Sequence, residues 1–112
     1  MVEALWSAEF RLPNGSNFGA GIVVLETGRI LGGDSSFTYI GEYSIKDGQV
    51  SGFIRSQKFS HSINLPSISG LDDSVIKISG IVGEKKMTLI GKIDALPGFI
   101  LEIDLIRRAE LP

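Results

Sequence analysis

The sequence predicts an all-β chain, with eight short strands wound as an up-and-down β-barrel. Three observations carry this. Fourteen glycines are spread along 112 residues and separate short runs dense in Ile and Val, a composition that suits a meander of strands. Long amphipathic stretches of 3.6-residue period are missing. The strands follow one another through short connections and carry glycines at 41, 52, 80 and 91, where bulges, barrel corners or close backbone approach are expected. Closure into a barrel also removes the exposed edges that a long open meander would leave. A sandwich is the competing arrangement.

The strands fall at about 3–12, 18–26, 29–33, 37–45, 50–59, 74–83, 87–95 and 99–108. The longest gap, His61 to Asp73, holds Pro66 and Gly70 and has room for one short helical turn. With no linker, repeat or low-complexity tract, the chain 1–112 reads as a single domain.

Registers follow from the turns, because opposite residues share a face of the sheet. Asp47-Gly48 is a strong two-residue type I′ signal. Closing there pairs Ile45 with Val50, Tyr43 with Gly52, Gly41 with Ile54 and Tyr39 with Ser56. Folding the first hairpin about Pro13–Asn17 pairs Leu12 with Phe18, Phe10 with Ala20, Ala8 with Ile22 and Trp6 with Val24. All eight are apolar and form one inward face. A turn at Glu84-Lys85-Lys86 sets Val82 beside Thr88 and Gly80 beside Ile90. A turn at Leu96-Pro97-Gly98 sets Ile93 beside Leu101 and Lys92 beside Glu102. In these registers Trp6, Phe10, Phe18, Ile22, Tyr39 and Tyr43 face the barrel interior, where they either fill it or line a pocket for a small apolar ligand.

One lateral row falls on the face that should be wet. Leu5, Leu25 and Ile30 lie on adjacent strands, and Ile100 and Ile106 point outward on the last strand. A row of this kind marks a covered surface, either a homodimer interface or a seat for the 61–73 segment.

Charge and composition narrow the chemistry. Eleven Lys+Arg against thirteen Asp+Glu give a net charge of −2 and a pI near 5.3, unlike the basic stripe of a nucleic-acid binder. The absence of cysteine removes disulfides, thiolate nucleophiles and Cys-based zinc sites, and a single histidine leaves little for a metal. The first residues lack a basic region followed by an apolar run, and no stretch approaches the ~18 apolar residues of a membrane span. A cytoplasmic location is the resulting expectation.

Motifs for catalysis are weak. Gly19-Ala20-Gly21 lacks the third glycine of a dinucleotide loop and lies within a strand. Gly91-Lys92 has no Walker context. Ser60-His61-Ser62 sets a base beside hydroxyls, but sequence adjacency does not align a nucleophile. Glu102 and Asp104 share one strand face and read as a wet exterior, and Asp72-Asp73 lacks the spacing of an EF-hand loop. In Gly32-Gly33-Asp34 the carboxylate either meets a ligand or accepts backbone N–H groups of the next turn. The expectation is a protein that is not an enzyme and carries neither cofactor nor metal.

Three elements in order carry a family resemblance: Phe18-Gly19-Ala20-Gly21-Ile22-Val23-Val24-Leu25, Gly28-Arg29-Ile30-Leu31-Gly32-Gly33-Asp34 and Tyr39-Ile40-Gly41-Glu42-Tyr43. Together they make residues 3–59 similar to the GrlR family, small negative regulators of type III secretion gene expression. Beyond His61 only hydrophobic pattern and length match. The resemblance implies an eight-stranded, lipocalin-like barrel with an apolar interior, associating as a homodimer. It also implies regulation through a protein partner, with an acidic surface loop sequestering a transcriptional activator. The equivalent hairpin here carries Lys46 and Asp47, one acid where the family's founding member has a run. Two functional readings follow: a regulatory, protein-binding barrel, and a carrier of a small apolar ligand or lipid.

Overall fold

The computed structural model describes residues 2–60 and 69–112. Eight strands run in chain order: β1 (Ala4–Arg11), β2 (Asn17–Glu26), β3 (Arg29–Gly33), β4 (Phe37–Lys46), β5 (Gln49–Lys58), β6 (Asp73–Ile81), β7 (Lys86–Lys92) and β8 (Ile100–Glu110). Each pairs antiparallel with the next, and β1 pairs with β8 to close the barrel. The expected up-and-down barrel is the architecture found. The 61–68 part of the expected helical turn, with His61, lies outside the described residues.

Alternation in the sequence becomes alternation across the wall. In β6 the even positions Ser74, Ile76 and Ile78 are buried while Asp73, Val75, Lys77 and Ser79 are exposed, the period-2 pattern of a half-buried strand. The inward side chains of the strands meet in one core that includes Trp6, Val23, Leu25, Ile30, Tyr39, Ile54, Leu89, Leu101 and Ile103. One mouth of the barrel is made of tight connections: Thr27-Gly28, Asp47-Gly48 and Val82–Lys85. The other mouth carries 12–16, 34–36 and 93–99, together with the described ends of the β5–β6 connection, 59–60 and 69–72.

The β4–β5 hairpin has the expected register, from Lys46↔Gln49 out to Phe37↔Lys58. Its turn residues Asp47 and Gly48 have φ of 52° and 76°, the paired left-handed values of a type I′ turn. Tyr43 lies across from Gly52, and a Cβ on Gly52 would sit 2.0 Å from the Glu42 carbonyl oxygen. The hairpin is thus coiled too tightly for any side chain at that point.

Three other registers differ from expectation. In β1–β2 the partners are Ala4↔Leu25, Trp6↔Val23 and Ala8↔Gly21, one residue away from Trp6 with Val24 and Ala8 with Ile22. The loop is tighter than Pro13–Asn17: Leu12 N–H donates to Ser16 at 2.9 Å, and the Asn14 side chain accepts the Ser16 N–H. Between Arg11↔Asn17 and Glu9↔Ala20 the second strand then gains one residue, a bulge in which Gly19 takes φ of 129°. A one-residue slip exchanges the faces of a strand, so Val23 and Leu25 point inward while Ile22 points outward and is 44% exposed.

In β6–β7, Gly80 lies beside Leu89 rather than Ile90, and the Leu89 side chain covers the glycine. In β7–β8, Gly91 pairs with Leu101 and Lys92 with Ile100. After Lys92 the chain makes two successive turns, Leu96 N–H to Ile93 and Phe99 N–H to Leu96, each 3.0 Å. This longer excursion moves the register by two residues, so Ile93 no longer faces Leu101, and both are buried. Glu102 meets Arg11 at 3.3 Å, not Lys92.

Candidate functional site

The barrel interior holds four of the six aromatic or aliphatic side chains expected there. Trp6 is fully buried, and its indole N–H donates to the Val2 carbonyl at 2.8 Å, tying the N-terminal residues across one mouth. The Arg107 guanidinium lies 5.8 Å from the centre of the indole ring, within cation–π range. Phe10 and Tyr39 pack with ring centroids 5.4 Å apart, tilted by 60°, a favourable arrangement for two quadrupoles. Tyr43 is half-buried against the same core. Ile22 is a correction, since the slip of β2 puts it on the outer wall. The side chain of Phe18 lies outside the described residues.

Asp34 explains how a phenol is held inside an apolar barrel. Its Oδ1 accepts the Ser36 and Phe37 N–H groups, each at 2.8 Å, and its Oδ2 accepts the Tyr39 hydroxyl. Asp34 N–H closes the turn on the Phe37 carbonyl at 2.9 Å. The Tyr39 ring reaches this carboxylate because Gly21 has no side chain, its would-be Cβ standing 3.0 Å from the ring. Burial pushes the Tyr39 phenol far above its usual value, and the Asp34 hydrogen bond and charge push the same way. Tyr39 is therefore a fixed neutral donor. The Tyr43 phenol is raised by burial, against a Gly28 backbone hydrogen bond that lowers it.

Among the described residues the centre of the barrel holds a small void. Between Phe10, Val23, Tyr39, Ile54, Leu89 and Ile103 a void of about 20 Å³ remains, with an apolar lining. That is space for roughly one water molecule, and drug-sized ligands need about 300 Å³ or more.

The outer wall carries the more extended apolar feature. Leu5 pairs with Val24, Val24 with Leu31 and Leu31 with Ile40, giving one lateral row across β1, β2, β3 and β4. Leu31 is 44% and Ile40 52% exposed, and Ile22 adds a second apolar position on β2. This row replaces the one expected from Leu5, Leu25 and Ile30. Leu25 and Ile30 do pair, but both point into the core at 4% and 2% exposure, so only Leu5 belongs to the exterior. Beyond the row lies a charged one, Glu26↔Arg29↔Glu42, with Arg29 and Glu26 3.7 Å apart. Ile100 and Ile106 are outward as expected, at 39% and 40%.

Lys46 and Asp47 stand exposed at the tip of the β4–β5 hairpin. Among the described residues no group of three His, Asp or Glu side chains could hold a metal ion, and no helix is long and apolar enough to cross a membrane. Against known proteins, the chain matches no family model and no curated sequence.

Register errors hid the outer row from sequence reasoning. Gly21–Leu25 is apolar at nearly every position, so both faces of β2 look like core. The signal lay in β3 and β4, where Leu31 and Ile40 alternate with the buried Ile30 and Tyr39.

Proposed function

We propose that this barrel is a non-catalytic, protein-binding module of the regulatory kind that the GrlR resemblance implies, working as a homodimer joined through the outer wall of β1–β4. The observation that carries this reading is the register-aligned row Leu5–Val24–Leu31–Ile40 with Ile22 beside it. Four strands spaced ~4.8 Å apart, carrying one side-chain row with Ile22 beside it, make an apolar area of roughly 160 Å². A stable interface covers about 800 Å² per partner, with an apolar centre and a polar rim. The row supplies such a centre, and the rim of Glu26, Arg29 and Glu42 carries both signs of charge. A two-fold interface must be self-complementary, and a rim of mixed sign can pair with its own copy. The small centre implies a dimer that dissociates at low concentration. The Lys46–Asp47 tip stays free for a further protein partner, which its single acid and single base do not specify.

Sedimentation velocity over a range of concentrations tests the reading. The wild-type chain should pass from monomer to dimer, and the Leu31→Glu/Ile40→Glu variant should stay monomeric with an unchanged far-UV spectrum. A wild-type chain that is monomeric at every concentration, or a dimer indifferent to the variant, would sink it. The carrier alternative draws no support from the centre of the barrel, where the void holds about 20 Å³.

A further inference from the structure

β6 is paired on one side only at its start. It meets β5 along its whole length, from Gln57↔Asp73 to Gln49↔Ile81, but it meets β7 only from Lys77↔Lys92 to Gly80↔Leu89. Among the described residues no strand lies beside Asp73–Ile76 on the β7 side. The cause is the departure of β7. Ile93 is drawn into the core at 4% exposure, and the chain turns away through Leu96 before returning as β8. A groove of about 460 Å³ opens in the gap, with β6 from Asp73 to Lys77 on one bank and Ile93, Asp94 and Ala95 on the other.

Main-chain N–H and C=O groups along a strand edge are a template for another strand. Added strands gain main-chain hydrogen bonds for affinity and side-chain pockets at alternate positions for selectivity. Here the inward positions of the edge, Ser74 and Ile76, are buried, while Val75 between them is 47% exposed. The ionised groups of both banks are already matched. Arg55 forks onto Asp73 at 3.2 and 2.9 Å, and Lys77 meets Asp94 at 2.8 Å. The groove therefore presents no net charge to an occupant. Its complement is an uncharged strand with apolar side chains opposite Val75 and Ile76.

We propose that the Asp73–Ile76 edge of β6 is a strand-accepting groove that binds an extended, uncharged, apolar peptide segment of a partner protein. The site lies two strands round the barrel from β4, with Arg55 pairing Ile40 on one side and Val75 on the other, and its open main-chain edge does not depend on dimerisation through β1–β4.

A phage-displayed library of random heptapeptides, selected on the full chain, supplies the probe. The consensus peptide is then synthesised in two forms, N-methylated at odd or at even residues. Strand addition predicts that one form loses at least tenfold in affinity while the other binds as before, because only alternate N–H groups face the edge. Hydrogen exchange should slow at Val75 and Asp94 when the unmodified peptide is present, and stay unchanged at Ile76, whose N–H faces β5. Val75→Lys should weaken binding, and Ala95→Trp, which fills the opposite bank from an exposed loop position, should do so without touching β6. Failure to enrich a consensus overturns the proposal, as does equal binding of both methylated forms. Protection that falls on β1–β4, or that appears with protein concentration alone, overturns it too, the latter by making a second copy the occupant.

Discussion

Asp34 uses one carboxylate to hold a turn and a core residue together. Two backbone N–H groups meet Oδ1 and the buried Tyr39 hydroxyl meets Oδ2. Replacing it with Ala leaves three donors without their acceptor in a half-buried setting. At about 1 kcal/mol for each lost bond, Asp34→Ala should lower unfolding stability by roughly 3 kcal/mol in urea titrations, with Asp34→Asn falling between. The expectation that this residue accepts N–H groups of the following turn came directly from Gly-Gly-Asp turn chemistry. The Tyr39 partner was not legible, because it depends on Gly21 of another strand giving way. On the outside, the Arg11 hydrogen bond and charge, with that of Thr88, hold the Asp104 carboxyl below its usual 3.8. A carboxyl whose folded pKa is depressed stabilises the fold above its unfolded pKa, and that contribution is lost as pH falls through the folded value. The stability gap between wild type and Arg11→Met should therefore be present at neutral pH and shrink below about pH 4. A gap that stays constant into strong acid would mean that Arg11 acts by packing alone.

At the scale of elements, turns decide what hydrophobic pattern leaves open. Asp47-Gly48 admits one closure, and the alternation of bulky and small partners beyond it agrees, so β4–β5 was readable to the residue. Pro13–Asn17 admits several closures. With apolar residues at successive positions of β2, nothing in the pattern rejected the wrong one. The bulge at Gly19 settled the register, and its signal was only a glycine within a strand. The β2–β3 turn offers a test of turn chemistry. Thr27 occupies φ of 52°, a left-handed conformation that a β-branched residue tolerates poorly. Its side chain is exposed, and its N–H donates to Glu3 at 2.9 Å through the backbone, which any residue can do. Thr27→Asn should thus raise stability by about 1 kcal/mol, seen as a higher urea midpoint with an unchanged slope. A lower midpoint would show that the threonine methyl is packed.

Over the whole molecule, the wall closes round a small central void among the described residues, and the more extended apolar feature lies on the exterior. Closure satisfies the strand edges round most of the circumference, and the core leaves about 20 Å³ at its centre. The exterior carries the apolar row on β1–β4 and the open edge of β6. Both arise from sequence features that look like core or loop when read locally, Val24 and Leu31 in the first case and the Ile93–Phe99 excursion in the second. The all-β barrel was legible because glycine punctuation and strand pattern agree along the chain. The exterior was not, because it depends on register between strands.

Native mass spectrometry of the untagged chain, purified without lipid removal, tests the central claim most directly, since one spectrum reports both subunit count and retained ligand. The account predicts a species at twice the 12.1 kDa chain mass with nothing added, reduced to monomer in the Leu31→Glu/Ile40→Glu variant. A monomer bearing a reproducible extra mass that denaturation releases would contradict it, and would place the activity of this barrel inside rather than on its wall.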